Sequence, residues 1–214
     1  MKSDHSILTM NDCQRIFQVI HSVYQTVDNS GAVCCQFYNV AAAFILKEVY
    51  KKEVMPVMGA ACFKFYSPLP VNLYFAHING KNVSSSEEAF HCWIETEDGY
   101  VLDFTAPLYR EYTKQAGNKC LIPRKMFQKK LELMSASYHE LDQEGDFYVK
   151  PNLELTQSRL IECTECHNNP DLLNLCLHWF KKAPHKIDSK LLTINEMGKG
   201  VIINLNKIKI LGKW

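Results

Sequence analysis

Apolar positions recur at helical spacing over residues 11–27, where Ile16, Phe17, Ile20, Val23 and Tyr24 share one face and Asn11 stands where a cap belongs. A polar loop, Asp28-Asn-Ser-Gly31, interrupts the pattern. From about residue 33 to 52 a second helix is predicted, and its alanine-rich middle (Ala41, Ala42, Ala43) lets a neighbouring element come close. The period then shortens. Residues 57–66 and 71–78 read as strands separated by Ser67-Pro-Leu-Pro70. After a polar loop at 79–88 comes a hairpin: residues 89–96, the turn Glu97-Asp-Gly99, and residues 100–105. A short helix is expected over 107–114, a short strand over 120–122, a helix with a basic solvated face over 125–134, and a strand over 147–150. Two helices follow, at 153–166 and from Asn169 (cap, with Pro170 in the first turn) to 182, and residues 200–211 read as a strand or hairpin. Helices, then strands, then helices predict an α+β fold with a mainly antiparallel sheet.

The 214 residues suffice for one large domain, read as a core over residues 1–151 and a helical and strand segment over 152–214 packed on it. Lys+Arg and Asp+Glu nearly balance at 24 and 23, so neither nucleic acid nor a membrane surface is expected as a partner. The N-terminus has no apolar run of signal-peptide type, and the nine cysteines are an odd number, which predicts reduced thiols and a cytoplasmic protein. Cys13, Cys62, Cys92, Cys120 and Cys176 lie in apolar patterns and are read as packed side chains.

Two cysteines, Cys34 and Cys35, open the second helix. A thiol in a first helical turn sits beside unpaired backbone N–H groups and the positive end of the helix dipole, both of which favour thiolate. The hairpin offers a base. A two-residue loop would set Ile94 opposite Asp103 and turn His91 to the other face. The three-residue loop Glu97-Asp-Gly99, with glycine in the left-handed position, pairs Trp93 with Asp103 instead. His91, Trp93, Val101, Asp103 and Thr105 then share one face, and Cys92, Ile94, Leu102 and Phe104 the other, apolar one. An imidazole held by a carboxylate is what a thiol nucleophile requires.

Taken in order, Cys35, Asn39, the small-residue helix Ala41–Leu46, His91-Cys-Trp93 and Leu102-Asp-Phe-Thr105 resemble the transglutaminase-like and arylamine N-acetyltransferase-like branch of the papain-like cysteine protease superfamily, over roughly residues 28–106. The resemblance implies a papain-like fold in a bacterial member of that branch. It further implies a Cys-His-Asp triad: Cys35 as nucleophile, His91 as base, Asp103 as the acid that orients it. The acetyltransferases carry an Arg-Gly-Gly run before the cysteine, whereas Gly31-Ala-Val-Cys34 stands here, which argues against acetyl-coenzyme A. With Cys35 in the first turn, Asn39, Ala42, Ala43 and Leu46 lie on its face; with Cys34, the face is Tyr38, Ala41, Ala42 and Ile45. The first is the closer-packing stripe, so Cys35 is taken as nucleophile and Cys34 as the alternative or a resolving thiol. The resemblance also makes Asn29, six residues before Cys35, the oxyanion-hole candidate, with Gln25 as runner-up.

Elsewhere, Cys163-Thr-Glu-Cys166-His167 has the spacing of a haem attachment site, and Cys163, Cys166, His167, Cys176 and His178 are zinc-ligand types. Without an export signal, and with Cys176 and His178 pointing apart on a helix, packed thiols are the reading preferred, and no metal or cofactor is expected. His21 is expected at the surface or half-buried. The expected activity is acyl transfer through a thioester: hydrolysis of an amide or isopeptide bond in a protein, peptide or small amide substrate. The alternatives are transfer to an amine and an inactive binding module on the same fold; the oligomeric state is open.

Overall fold

A computed structural model describes residues 6–27, 34–67, 69–117, 121–165, 169–195 and 197–214. Helix α1 (Met10–Val27) and helix α2 (Cys35–Tyr50) pack together beneath the sheet. The cap of α1 is Thr9 and not Asn11: the Thr9 hydroxyl accepts the Asp12 backbone N–H (3.1 Å), so the helix begins one residue before Asn11. Lys51 ends α2 in the left-handed conformation (φ 54°).

The sheet is organised by one long strand, β1 (Val54–Ser67). Residues 54–59 of β1 pair with β5 (His91–Thr96), and residues 61–67 with β2 (Leu69–Phe75). Strand β8 (Phe147–Pro151) pairs with residues 59–63. Gly59 has both His91 and Pro151 as partners, and Phe63 both Leu73 and Phe147. One residue cannot pair twice on one side, so β5 and β2 follow one another along one edge of β1 and β8 takes the opposite edge. The edge forks at Ala60, between the start of β5 and the end of β2. A Cβ at Gly59 would lie 2.2 Å from the Lys150 carbonyl oxygen, so only glycine admits β8 there. From β5 the sheet continues antiparallel through β6 (Tyr100–Asp103) to β7 (Phe127–Lys130).

The expected helix over 125–134 is therefore replaced by β7 and a 3₁₀ turn at Leu131–Leu133. Its spacing suits a helix locally, but Phe127 pairs with Asp103 and Leu102 with Gln128, and that ladder overrides propensity. The expected strand over 120–122 is absent at the described Leu121 and Ile122, which form no regular structure; Cys120 lies outside the described residues. Residues 71–78 divide at Ala76 into β2 and a small hairpin of β3 (His77–Asn79) and β4 (Asn82–Ser84). Between β6 and β7 the chain makes a 3₁₀ turn (Ala106–Leu108) and α3 (Tyr109–Gln115), in the span read as a short helix.

Two cores result. Ile94, Leu102 and Phe104 point to the helix side and pack on α1, α2 and α5 (Asn169–Trp179). Phe63, Phe65, Trp93, Val101, Tyr109, Phe127 and Phe147 fill the concave side of the curled sheet. Helix α4 (Leu153–Glu165) is fixed to β1, because the Thr156 hydroxyl accepts the Met58 N–H (2.9 Å) and donates to the Met58 carbonyl (3.1 Å). Strands β9 (Lys190–Ile194) and β10 (Gly200–Asn204) form a separate hairpin at the C-terminal end, of which only β10 falls in a span read as a strand. The fold is α+β with a curled antiparallel sheet. Among the described residues no helix is long and apolar enough to cross a membrane.

Candidate active site

The start of α2 is built as the pattern requires. Cys34 is the N-cap, extended at φ −98° and ψ 95°, and Cys35 is the first helical residue. The Gln36 and Phe37 backbone N–H groups of the first turn face the Cys34 sulfur and partly offset the effect of its burial. Cys35 is partly exposed, at the edge of an apolar cluster with Phe90, Met58, Cys92, Leu155 and Leu160. Cys34 is also partly exposed, and burial pushes its thiol up to about 11. That disfavours a Cys34 thiolate at neutral pH.

The hairpin takes the three-residue register. Ile94 pairs with Leu102 and Glu95 with Val101, and Gly99 sits at φ 74°. Thr96 closes the loop, accepting the Gly99 N–H on its carbonyl (2.9 Å) and the Tyr100 N–H on its hydroxyl (3.1 Å). His91 and Asp103 therefore share the concave face. Both are fully buried, with 2.6 Å between His91 Nε2 and a carboxylate oxygen of Asp103. The imidazole stacks on Phe75 (centroids 4.3 Å, 22°) and meets Phe63 edge-on (5.8 Å, 79°). Phe75 reaches it because the sheet edge forks at Ala60, where the end of β2 adjoins the start of β5.

A carboxylate this deep survives only if its lone pairs are occupied. Asp103 accepts the Thr105 N–H (2.7 Å), the Thr105 and Tyr109 hydroxyls, and the Asn39 amide (2.9 Å) besides the imidazole. Burial opposes its charge, but the imidazole beside it and these donors outweigh burial and hold its pKa below the ordinary carboxylate value. Asn39 ties helix to hairpin: its amide also donates to the Cys92 carbonyl (2.8 Å) and its oxygen accepts the Phe104 N–H (2.9 Å).

For His91 burial is again the largest influence and lowers the pKa. The Asp103 charge, then the charge and hydrogen-bonding capacity of Cys35, overcome it and carry the ring to about 10. Asp103 occupies Nε2, so Nδ1 is the nitrogen left for the sulfur. Nδ1 is buried and has no aligned hydrogen bond.

Thr105, already placed on this face, is joined at the site by Tyr109 and Phe75, which nothing singled out beforehand. Tyr109 reaches Asp103 because the 3₁₀ turn after β6 brings the first residue of α3 back to it, and Phe75 arrives only through the fork in β1. Asn29 lies outside the described residues. Gln25 is exposed, and its side-chain oxygen accepts from Asn206 (3.0 Å). Cys13, Cys62, Cys92 and Cys176 are buried. Cys166 and His167 lie outside the described residues, while Cys163 is buried on α4 and His178 is exposed on α5. Among the described residues no three His, Cys, Asp or Glu side chains are arranged to hold a metal ion.

Residues 9–214 match the sequence profile of a family described as a protein of unknown function (DUF2026). The chain belongs to this family. No curated protein matches. A solved chain described as "The crystal structure of genomics APC5867" is similar over 100% of both chains, with 28% identity and a TM-score of 0.85. The fold is thus shared with a solved chain of moderate identity.

Proposed function

We propose that this chain is a cysteine-nucleophile acyl-transfer enzyme of papain-like, transglutaminase-like type that hydrolyses an amide or isopeptide bond. One observation carries the reading: a fully buried imidazole has a carboxylate 2.6 Å from one nitrogen and leaves the other for a helix-start thiol. In the proposed reaction His91 is the imidazolium at rest, already holding the Cys35 proton on Nδ1, and the sulfur attacks the substrate carbonyl carbon. The C–N bond then breaks, and the imidazolium returns its proton to the leaving amine. Water, deprotonated by the same nitrogen, cleaves the thioester and restores the thiolate beside the imidazolium. Asp103 keeps its charge throughout and fixes the ring's tautomer. The backbone N–H of Cys35 is the donor available to the oxyanion.

Iodoacetamide labelling near pH 6 tests the reading. Cys35 is expected to react ahead of the other thiols, and His91→Ala is expected to slow it by about 10²–10⁴-fold, the range of a lost acid–base partner. Slow, uniform labelling of many thiols, unchanged in His91→Ala, would instead indicate a binding module.

A further inference from the structure

The near balance of charge over the whole chain conceals a segregation. Residues 181–214 carry eight lysines against Asp188 and Glu196, whereas residues 1–180 carry 16 basic and 21 acidic side chains. The basic end is also where large apolar side chains stand in the open. Leu192 is 73% exposed, Ile194 71%, Ile202 59%, and Met197, in the turn between β9 and β10, 90%.

The hairpin has two faces. Leu191, Val201 and Ile203 pack on the helical core, as do Leu205, Ile208 and Ile210 in the segment that follows β10. The register pairs Lys190 with Asn204, Leu192 with Ile202 and Ile194 with Gly200, and this outward set is exposed throughout. An apolar centre therefore lies between Lys190 at one end of the hairpin and Lys199 in the turn at the other. Lys207 and Lys209, on either side of the packed Ile208, are exposed as well. The backing is fixed to α1. The Ser22 hydroxyl accepts the Asn206 N–H (2.7 Å), and the Gln14 side chain donates to the Ile208 carbonyl (2.7 Å) and accepts the Ile210 N–H (2.6 Å). Turning Leu192 and Ile202 inward would take a one-residue slip of both strands, which these bonds and the packed inner face resist.

We infer that this outward face docks on an anionic lipid surface. Leucine, isoleucine and methionine tips bordered by lysines suit a bilayer boundary: the tips enter the acyl region and the ammonium groups remain among the lipid phosphates. A second copy would bring two basic ends together, which like charge opposes. Nucleic acid offers the apolar tips no layer to enter. Residues 181–214 hold no arginine, and their one tryptophan, Trp214, packs on Phe65 (4.3 Å), away from any stacking role. The face shares no residue with the candidate active site, so the inference does not depend on the reaction proposed above.

Co-sedimentation of the full chain with lipid vesicles is the test. Binding is expected to vesicles of mixed phosphatidylglycerol and phosphatidylcholine, to be lost on pure phosphatidylcholine, and to weaken as salt rises from about 0.1 to about 1 M. The triple variant Leu192→Ala, Ile194→Ala, Ile202→Ala is expected to bind at least about tenfold more weakly. Lys190→Gln with Lys199→Gln should lose about fivefold per lysine. Thermal melts of both variants are expected to match the parent, because all five positions are exposed. Failure to bind the anionic vesicles, equal binding to pure phosphatidylcholine, or binding that neither variant weakens overturns the inference. Binding to duplex DNA in place of vesicles, or self-association that the triple variant abolishes in a chain that ignores vesicles, would give the face to another partner and equally overturn it.

Discussion

His21 and His91 are both buried, both against aromatic rings, and differ in their ionisable neighbours. His21, on α1, stacks on Phe17 (5.3 Å, 12°) and its Nδ1 shares a hydrogen bond with the Tyr38 hydroxyl, while its Nε2 has no partner. Burial, helped by the Arg124 charge, lowers its pKa to about 4. His91 stacks on Phe75 but also faces Asp103, and stands at about 10. Burial favours a neutral histidine, and at His91 the Asp103 carboxylate, with Cys35 after it, reverses the sign. Removing a histidine from water therefore lowers its pKa, and the neighbouring carboxylate is what raises it at His91.

The sharpest way to break the contrast is Asp103→Asn. It should convert His91 into a second His21, neutral at pH 7, and lower Cys35 labelling by about 10²–10⁴-fold. It should also cost about 3–5 kcal/mol of stability, measured by urea denaturation, because a buried pair loses one partner.

A smaller effect lies in the pH dependence of stability. His91, raised above its unfolded value, stabilises fully below about pH 6.5, and its contribution is lost as pH rises toward 10. His21, lowered, stabilises above about pH 6.5, and its contribution is lost as pH falls toward 4. Between them the two place a stability maximum near pH 6.5, with limbs of at most about 1.4 kcal/mol per pH unit. His91→Phe should flatten the alkaline limb and His21→Phe the acid one. Urea midpoints taken from pH 4.5 to 8.5 read this before the buried thiols, such as Cys13 and Cys62 at about 12, begin to matter.

The smallest expected change is Gly99→Ala. Nothing lies within 4 Å of the added Cβ, so only the left-handed backbone is penalised, at about 1 kcal/mol. Labelling of Cys35 should not move. If it does, the turn governs the alignment of the hairpin more than the packing around Asp103 does.

These contrasts also mark what could be read from the chain alone. The hairpin was legible because Glu97-Asp-Gly99 admits one register that leaves a clean apolar face, and that register places His91 with Asp103. Helix α2 was legible because its small residues and cysteines follow one period. His21, read as surface or half-buried, is instead enclosed, since the contact between α1 and α2 that covers it depends on Tyr38 and Phe17 meeting in three dimensions. Strand β7 was misread because its partner is β6, and a ladder leaves little trace in local periodicity. Phe75 and the fork at Ala60 rest on three strands meeting along β1, a non-local arrangement that no window of sequence displays.

That meeting has a consequence for the order in which the protein matures. Cys35 leaves the ribosome long before β8, yet Gly59 and its His91 neighbour are braced on their far side only once residues 147–151 have closed against them. Such distant pairings come late in folding. The face that holds His91 and Asp103 is therefore expected to be complete only when the C-terminal third of the chain arrives.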